Sequence, residues 1–184
     1  MTCWGCDVPV QARVEGLERV LRKLGPQFIA KPMADFWQRC GITVQSAARE
    51  RANRDAHDTG HLVNMIQYEV DTREVPLWAK VGLLNASAGS PLWYKARAME
   101  YGTGRMGDTE VSHKSGHWPP GAALDTWASR HGFASGAQVA AIIGRRGGLK
   151  PRRFLRGGFD DSLSRIRGYL RQLGDDIRSA WEKR

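Results

Sequence analysis

Ile66-Gln67-Tyr68-Glu69-Val70-Asp71-Thr72-Arg73-Glu74-Val75-Pro76-Leu77-Trp78-Ala79-Lys80-Val81-Gly82-Leu83-Leu84 decides the fold class. Its opening residues alternate apolar with polar, and Leu77 to Leu84 is again largely apolar. Asp71 to Pro76 between them has turn chemistry, so the stretch reads as an antiparallel hairpin. The first strand is expected to start as early as His61, because His61 to Val70 is rich in Val, Ile, Met and Tyr. A two-stranded ribbon is marginal in water and needs a covering helix or a further strand. Val8 to Val14 alternates enough to supply such a strand.

Both covers are present on either side. After Glu15-Gly16-Leu17 a short helix is expected, with Leu17, Val20, Leu21 and Leu24 on one side and Gly25-Pro26 as its end. A longer helix follows, with Pro26 or Pro32 suited to its first turn. Its apolar stripe is Phe28, Ile29, Met33, Phe36, Trp37, Cys40, Val44 and Ala47; beyond Ala48 it turns polar, and Asp58-Thr59-Gly60 closes it. Gly41 weakens this helix by up to about 1 kcal/mol relative to alanine. At the other end of the chain Phe159, Leu163, Ile166, Leu170, Leu173, Ile177 and Trp181 recur at steps of three and four, so one face of a helix starting at Phe154-Leu155 should pack on the body. Leu92 to Tyr101 reads as a short helix or strand, and Gly102 to Gly121 as an exposed loop. Ala122 to His131 and Ser135 to Ile143, parted by Gly132-Phe133-Ala134, read as a helical hairpin. The expectation is one α+β domain over residues 1–184: a small antiparallel β-sheet packed by a long helix of the N-terminal half and a C-terminal amphipathic helix. Residues 105–148 would form an exposed loop plus an inserted helical hairpin.

The net charge of +9 is uneven. Residues 1–104 hold 13 Lys/Arg against 11 Asp/Glu, and residues 105–184 hold 15 against 8. Most of the excess is Arg145, Arg146, Lys150, Arg152, Arg153, Arg156, Arg165, Arg167 and Arg171, faced in that span by Asp160 and Asp161. Such a patch attracts phosphate or an acidic protein face, although a solvated helix flank has the same composition. Six of these residues, Arg145, Arg146, Lys150, Arg152, Arg153 and Arg156, form the candidate basic interface. No apolar run of 18 residues exists, and Met1-Thr2-Cys3-Trp4-Gly5-Cys6 lacks the basic start and apolar core of an export signal, so a soluble cytoplasmic chain without membrane contact is expected.

Chemistry is harder to find. Three cysteines without an export signal argue against a disulfide framework. Cys3 and Cys6 form a C-x-x-C, but zinc needs two further ligands, and only Cys40 and five scattered histidines are on offer. His113 and His117 are four apart among Gly, Ser and Pro where no helix is expected; His57 and His61 share the spacing across a turn. Nucleophile elbow, phosphate-binding loop, dinucleotide fingerprint and metalloprotease helix are all missing, so no catalytic residue, metal or cofactor is expected, and the chain reads as a non-enzyme. The alternative is a DNA-binding protein using the 122–143 helical pair. Leu124, Trp127, Ala128 and Gly132 resemble the first helix and turn of a helix-turn-helix, yet Gln138 falls where that motif wants an aliphatic, and Val139 is one residue late.

Four places carry a family resemblance. Val14-Glu15-Gly16-Leu17 with Leu21 and Leu24 looks like an opening strand and helix, and Thr59-Gly60-His61-Leu62 matches a "TG-x-L" entry into a first sheet strand. Glu100-Tyr101-Gly102-Thr103 looks like an "E-aromatic-G-T" signature. Lys150-Pro151-Arg152-Arg153-Phe154-Leu155 resembles the segment leading into a last amphipathic helix. In this order they resemble the tail-completion and head-tail joining proteins of long-tailed phages, the group that includes minor tail protein Z. The Pro119 to Ile143 helical pair resembles an insertion found in a subset of them. The resemblance implies family-motif roles for Thr59, Gly60, Leu62, Glu100, Tyr101, Gly102, Thr103, Phe154 and Leu155. It also implies a structural virion protein of the neck, made in the host cytoplasm, that completes the tail or joins it to the DNA-filled head. Implied partners are the tail terminator, the connector or stopper, the tail tube, further copies in a six-fold ring, and genomic DNA by nonspecific contact.

Overall fold

A computed structural model describes residues 25–55, 60–108 and 117–182, together with a strand at Val10–Gln11. In chain order the elements are β1 (Val10–Gln11), α1 (Pro26–Asp55), α2 (His61–Met65), β2 (Gln67–Val70), β3 (Ala79–Gly82), α3 (Pro91–Tyr101), α4 (Asp125–Arg130), α5 (Gly136–Arg146) and α6 (Phe154–Glu182). Single 3-10 turns lie at Gly104–Met106 and Gly121–Leu124. The fold is α+β, mostly helical, with the expected antiparallel hairpin: β2 pairs β3 with Tyr68 opposite Val81 and Glu69 opposite Lys80. β1 pairs the other side of β3, Val10 opposite Val81, so the sheet order is β1-β3-β2.

The hairpin is shorter at its start than the sequence suggests. His61 to Met65 is a helical turn and not strand, a correction with a readable cause: Leu62 and Ile66, four apart, are both buried while His61 and Asn64 are exposed. Gly60, at φ 74, takes up the left-handed bend that starts this turn. The expected helix after Gly16, the Asp58-Thr59 turn and the N-terminal cysteines lie outside the described residues.

Helices α1 and α6 run antiparallel along their whole length. Thr43 meets Tyr169 by a hydroxyl–hydroxyl hydrogen bond, Arg39 donates to Gln172, Arg51 pairs with Asp161, and the rings of Phe28 and Trp181 stand edge to face. At one end the interface is built from small residues. Gly157 and Gly158 face Arg51 and Ala48, and a Cβ at Gly158 would stand 2.6 Å from the Ala48 backbone nitrogen. Ala48, Ala52 and Ser162 are buried there. At the other end Ile29, Met33, Phe36 and Trp37 of α1 close over Leu173 and Ala79. The buried α1 positions follow the expected stripe, with Ala48 and Ala52 extending it into the polar-looking half.

Polar contacts fix the sheet to α1. Trp37 donates its indole N–H to the Pro76 carbonyl, and Arg49 and Gln45 both donate to the Ile66 carbonyl. Gly41, a weak helix residue by propensity, has a packing reason: a Cβ there would lie 2.6 Å from the Tyr68 ring. Two members of the expected α6 stripe do not pack as foreseen, since Leu170 is 43% and Trp181 48% exposed. Leu170 instead lines a shallow apolar groove with Phe36, Val44 and Ile166, and Trp181 lies in the last turn against the Phe28 ring.

Candidate functional site

The sequence-flagged residues meet at the junction between α3, α6 and the helical pair. Helix α3 begins at Pro91 under the Ser90 hydroxyl, which accepts from the Trp93 amide, and runs to Tyr101. One residue before its end, Glu100 is 97% buried, with 3% relative exposure. Its carboxylate accepts hydrogen bonds from the Leu155 amide at 2.8 Å and the Arg156 amide at 2.9 Å, in the first turn of α6. Those amides lack partners within their own helix, so a buried side chain 55 residues away supplies the cap. Burial pushes the Glu100 carboxyl above its ordinary range, while the two backbone N–H groups pull it down less strongly. Phe154 and Leu155 are fully buried in the core shared with Val44, Ala48 and Ile66.

From Glu100 the chain is laced to the segment before α6. Arg152 donates its amide to the Met99 carbonyl, Arg153 to the Glu100 carbonyl, Thr103 to the Leu149 carbonyl and Arg105 to the Gly147 carbonyl. The Thr103 hydroxyl accepts in return from the Leu149 amide at 3.0 Å. Gly102 must be glycine twice over: its φ is +72, and a Cβ would stand 2.4 Å from the Leu149 carbonyl oxygen. Arg153 holds a left-handed φ of 49, unusual for a side-chain-bearing residue, and its guanidinium pairs with Asp108. The motif positions Glu100, Gly102, Thr103, Phe154 and Leu155 therefore share one clamp, with Tyr101 half-buried beside it. Leu62, at the entry to β2, is buried in the same apolar cluster as Phe154 and Leu155; Gly60 precedes it outside the clamp, and Thr59 lies outside the described residues.

The clamp carries a helical unit. Helices α4 and α5 pack on each other and on the 121–124 turn. Ser135 caps α5 by accepting from the Gln138 amide, and the Asp125 carboxylate accepts from the Gly136 amide. The expected helical pair is thus present. Val139 is buried while Gln138 is exposed and accepts from the Ala134 amide, the register that the sequence gives as one residue off for a helix-turn-helix. The basic residues of α5 stand at its C-terminal turn, where cations complement the helix dipole, and not at the N-terminal turn that such a motif inserts into DNA.

All six residues of the candidate basic interface are exposed: Arg145 and Arg146 end α5, Lys150, Arg152 and Arg153 line the connecting strap, and Arg156 opens α6. Beside the clamp is a half-open cavity of about 210 Å³ lined by Lys80, Trp93, Arg97, Glu100, Leu83 and Phe154. Lys80 lies over the Trp78 ring and Arg97 over the Trp93 ring. The Glu100 carboxylate at the cavity wall is committed to the α6 cap.

Of the other residues raised by the sequence, Cys40 is buried with its thiol pushed up to about 12 by desolvation, which makes a thiolate role unfavourable. His61 is exposed on α2, and His117 lies in coil next to Gly104. Cys3, Cys6, His57 and His113 lie outside the described residues. Among the described residues no group of three or more His, Cys, Asp and Glu is placed to hold a metal ion, and no helix is long and apolar enough to cross a membrane. Neither the Glu100 cap nor the contact between Trp118 and Gly144 is legible in the sequence, because each pairs residues tens of positions apart. No family model, curated protein or solved structure matches the chain.

Proposed function

We propose that the chain is a non-enzymatic structural subunit of a tailed-phage neck, assembling as a ring to complete the tail or to join it to the DNA-filled head. One observation carries this reading. Two of the motif stretches behind the phage resemblance, Glu100 to Thr103 and Pro151 to Leu155, are distant in sequence and are laced together by backbone hydrogen bonds and by the Glu100 cap. Motif residues whose work is to fix one unit rigidly on another suit a building block better than a reaction centre.

The rest of the architecture is compatible with that work. A ring subunit needs two different faces that meet by rotation, and the two-helix body and the helical unit joined at the clamp offer two such surfaces. The exposed cations of the strap suit an acidic face on a neighbouring neck or tail protein, or the genome passing through the ring. Binding to a tail terminator, connector, stopper or tail tube and a six-fold ring belong to the same proposal, as does residence in the virion.

Disruption of the gene in its phage, followed by electron microscopy of the lysate, tests the reading. Filled heads and finished-length tails should accumulate unjoined, and a plasmid copy should restore whole particles. The purified full chain should form rings alone or on isolated tails by native mass spectrometry. Joined, infectious particles without the gene would overturn it.

A further inference from the structure

The geometry points to a single-stranded nucleic-acid platform on the helical unit, centred on Trp118, with Arg105 and Arg145 beside its seat on α5 and Arg146 adding to the charge of that helix end. This inference does not rest on the neck reading, because neither Trp118 nor Gly144 enters it.

Trp118 is 61% exposed, the same as Tyr94 and more than the exposed Trp181. It is nevertheless not a loose side chain. A Cβ built on Gly144 would stand 2.2 Å from Cδ2, 2.3 Å from Cε2 and 2.6 Å from Cε3 of its indole, the atoms around the ring fusion. The middle of one ring face therefore lies on the bare backbone of α5, and any side chain at position 144 would lift it off. Most of the rest of the ring is exposed. A flat ring backed on one side is what an unstacked base can lie on, and base–aromatic stacking tolerates any base because every base has a π-face.

The charge around the ring suits a phosphate chain. The segments 102–108 and 117–156 hold eight Lys/Arg against only Asp108 and Asp125. Asp108 is taken by Arg153. Asp125 sits at the N-terminal end of α5, where it accepts from the Gly136 amide, about 14 Å along the helix from Arg145. That exceeds the Debye length of about 8 Å at physiological ionic strength, so its screening of the arginines is weak. Arg145 stands about 100° round α5 from Gly144 and Arg146 about 200°, so Arg145 flanks the ring's seat and Arg146 adds charge from the far side, and Arg105 packs its stem on Gly147 through its own backbone bond to the Gly147 carbonyl. All three are exposed. An acidic protein surface would also answer to the arginines, but it has no need of an exposed ring held flat by a glycine. A duplex would offer phosphates and no free base.

The test uses the full chain and a fluorescein-labelled oligothymidylate of about 20 nucleotides, with anisotropy read across a salt series. Binding should weaken linearly in log–log form with salt. Trp118→Ala should weaken it about ten-fold with little change of salt slope, Trp118→Phe should recover most of the loss, and Gly144→Ala should behave like Trp118→Ala. Arg145→Glu with Arg146→Glu should weaken binding and flatten the slope. Thermal melts check that each variant folds; as Trp118 is on the surface, its replacement is expected to leave the melt unchanged. The proposal is overturned if the strand does not bind, or if Trp118→Ala binds as wild type. Equal affinity for a duplex of the same length would make the face a phosphate surface only. Equal competition by polyglutamate would make it a docking site for an acidic protein.

Discussion

Asp71 directly follows β2 with its carboxylate turned into the β2–β3 connection, where it accepts from the Arg73 amide, the Arg73 guanidinium and the Leu77 amide. The Arg73 contact, followed by the two amides, holds its carboxyl at about 2, below the ordinary 3.8. A depressed folded value means that the stabilisation is complete above the unfolded value and is lost as pH falls from about 4 towards 2. Asp71→Asn should therefore cost about 1–2 kcal/mol at neutral pH, and the gap between variant and wild type in urea melts should close over that acid range. A gap independent of pH would show that the hydrogen bonds do not depend on the charge. Glu100 works with the opposite sign. Its folded value is raised, so its proton is held more tightly in the folded state, and that contribution is complete at low pH and fades as pH rises through the raised value. At this scale the sequence was legible only in part. Glu100, Gly102 and Thr103 stand out as a short motif, but the motif does not say that the glutamate caps a helix beginning at Phe154, because that partnership exists only once the chain has closed on itself.

Helices α1 and α6 were readable because their apolar stripes are long and regular, which is the condition under which period outweighs local propensity. The interface between them was less so. Gly157 and Gly158 in the first turns of α6 look like helix breakers, each costing up to about 1 kcal/mol against alanine. The structure gives Gly158 a packing reason, since the backbones of α1 and α6 approach too closely there for any side chain at position 158. Gly168 and Gly174 provide the contrast on the same helix, with no atom within 4 Å of an added Cβ. Gly158→Ala should destabilise the protein by about 1–3 kcal/mol, because the atoms it meets are Ala48 backbone and cannot swing away. Gly168→Ala should stabilise it by roughly 0.5–1 kcal/mol through helix propensity alone. Paired urea denaturation measures both, and a stabilising Gly158→Ala would mean that the helices are not in contact at this end. The short α2 escaped the sequence reading for a related reason. Five residues rich in Val and Met have strand-like composition, and only the spacing of Leu62 and Ile66 marks them as helical.

At the scale of the whole molecule, the contacts between the helical unit and the body among the described residues lie mainly at the clamp. Helices α4 and α5 pack on one another and on the 121–124 turn, whereas α1, the sheet and α6 share the two large apolar clusters. Their opening free energies should therefore differ, the helical unit exchanging its amides by a smaller excursion than global unfolding. Thr103 is the place to probe this, because its amide and hydroxyl both bond Leu149 and its side chain takes no part in either cluster. Thr103→Val keeps the shape, removes the hydroxyl acceptor and leaves the Leu149 amide without it, a loss of about 1–3 kcal/mol at the clamp. Hydrogen exchange followed by mass spectrometry should then show faster exchange across residues 136–146, while peptides from α1 and from the middle of α6 keep their protection. If protection falls equally everywhere, unit and body unfold as one and the clamp is ordinary core. If only the helical unit loosens, the junction sets how firmly the basic face is held on the body.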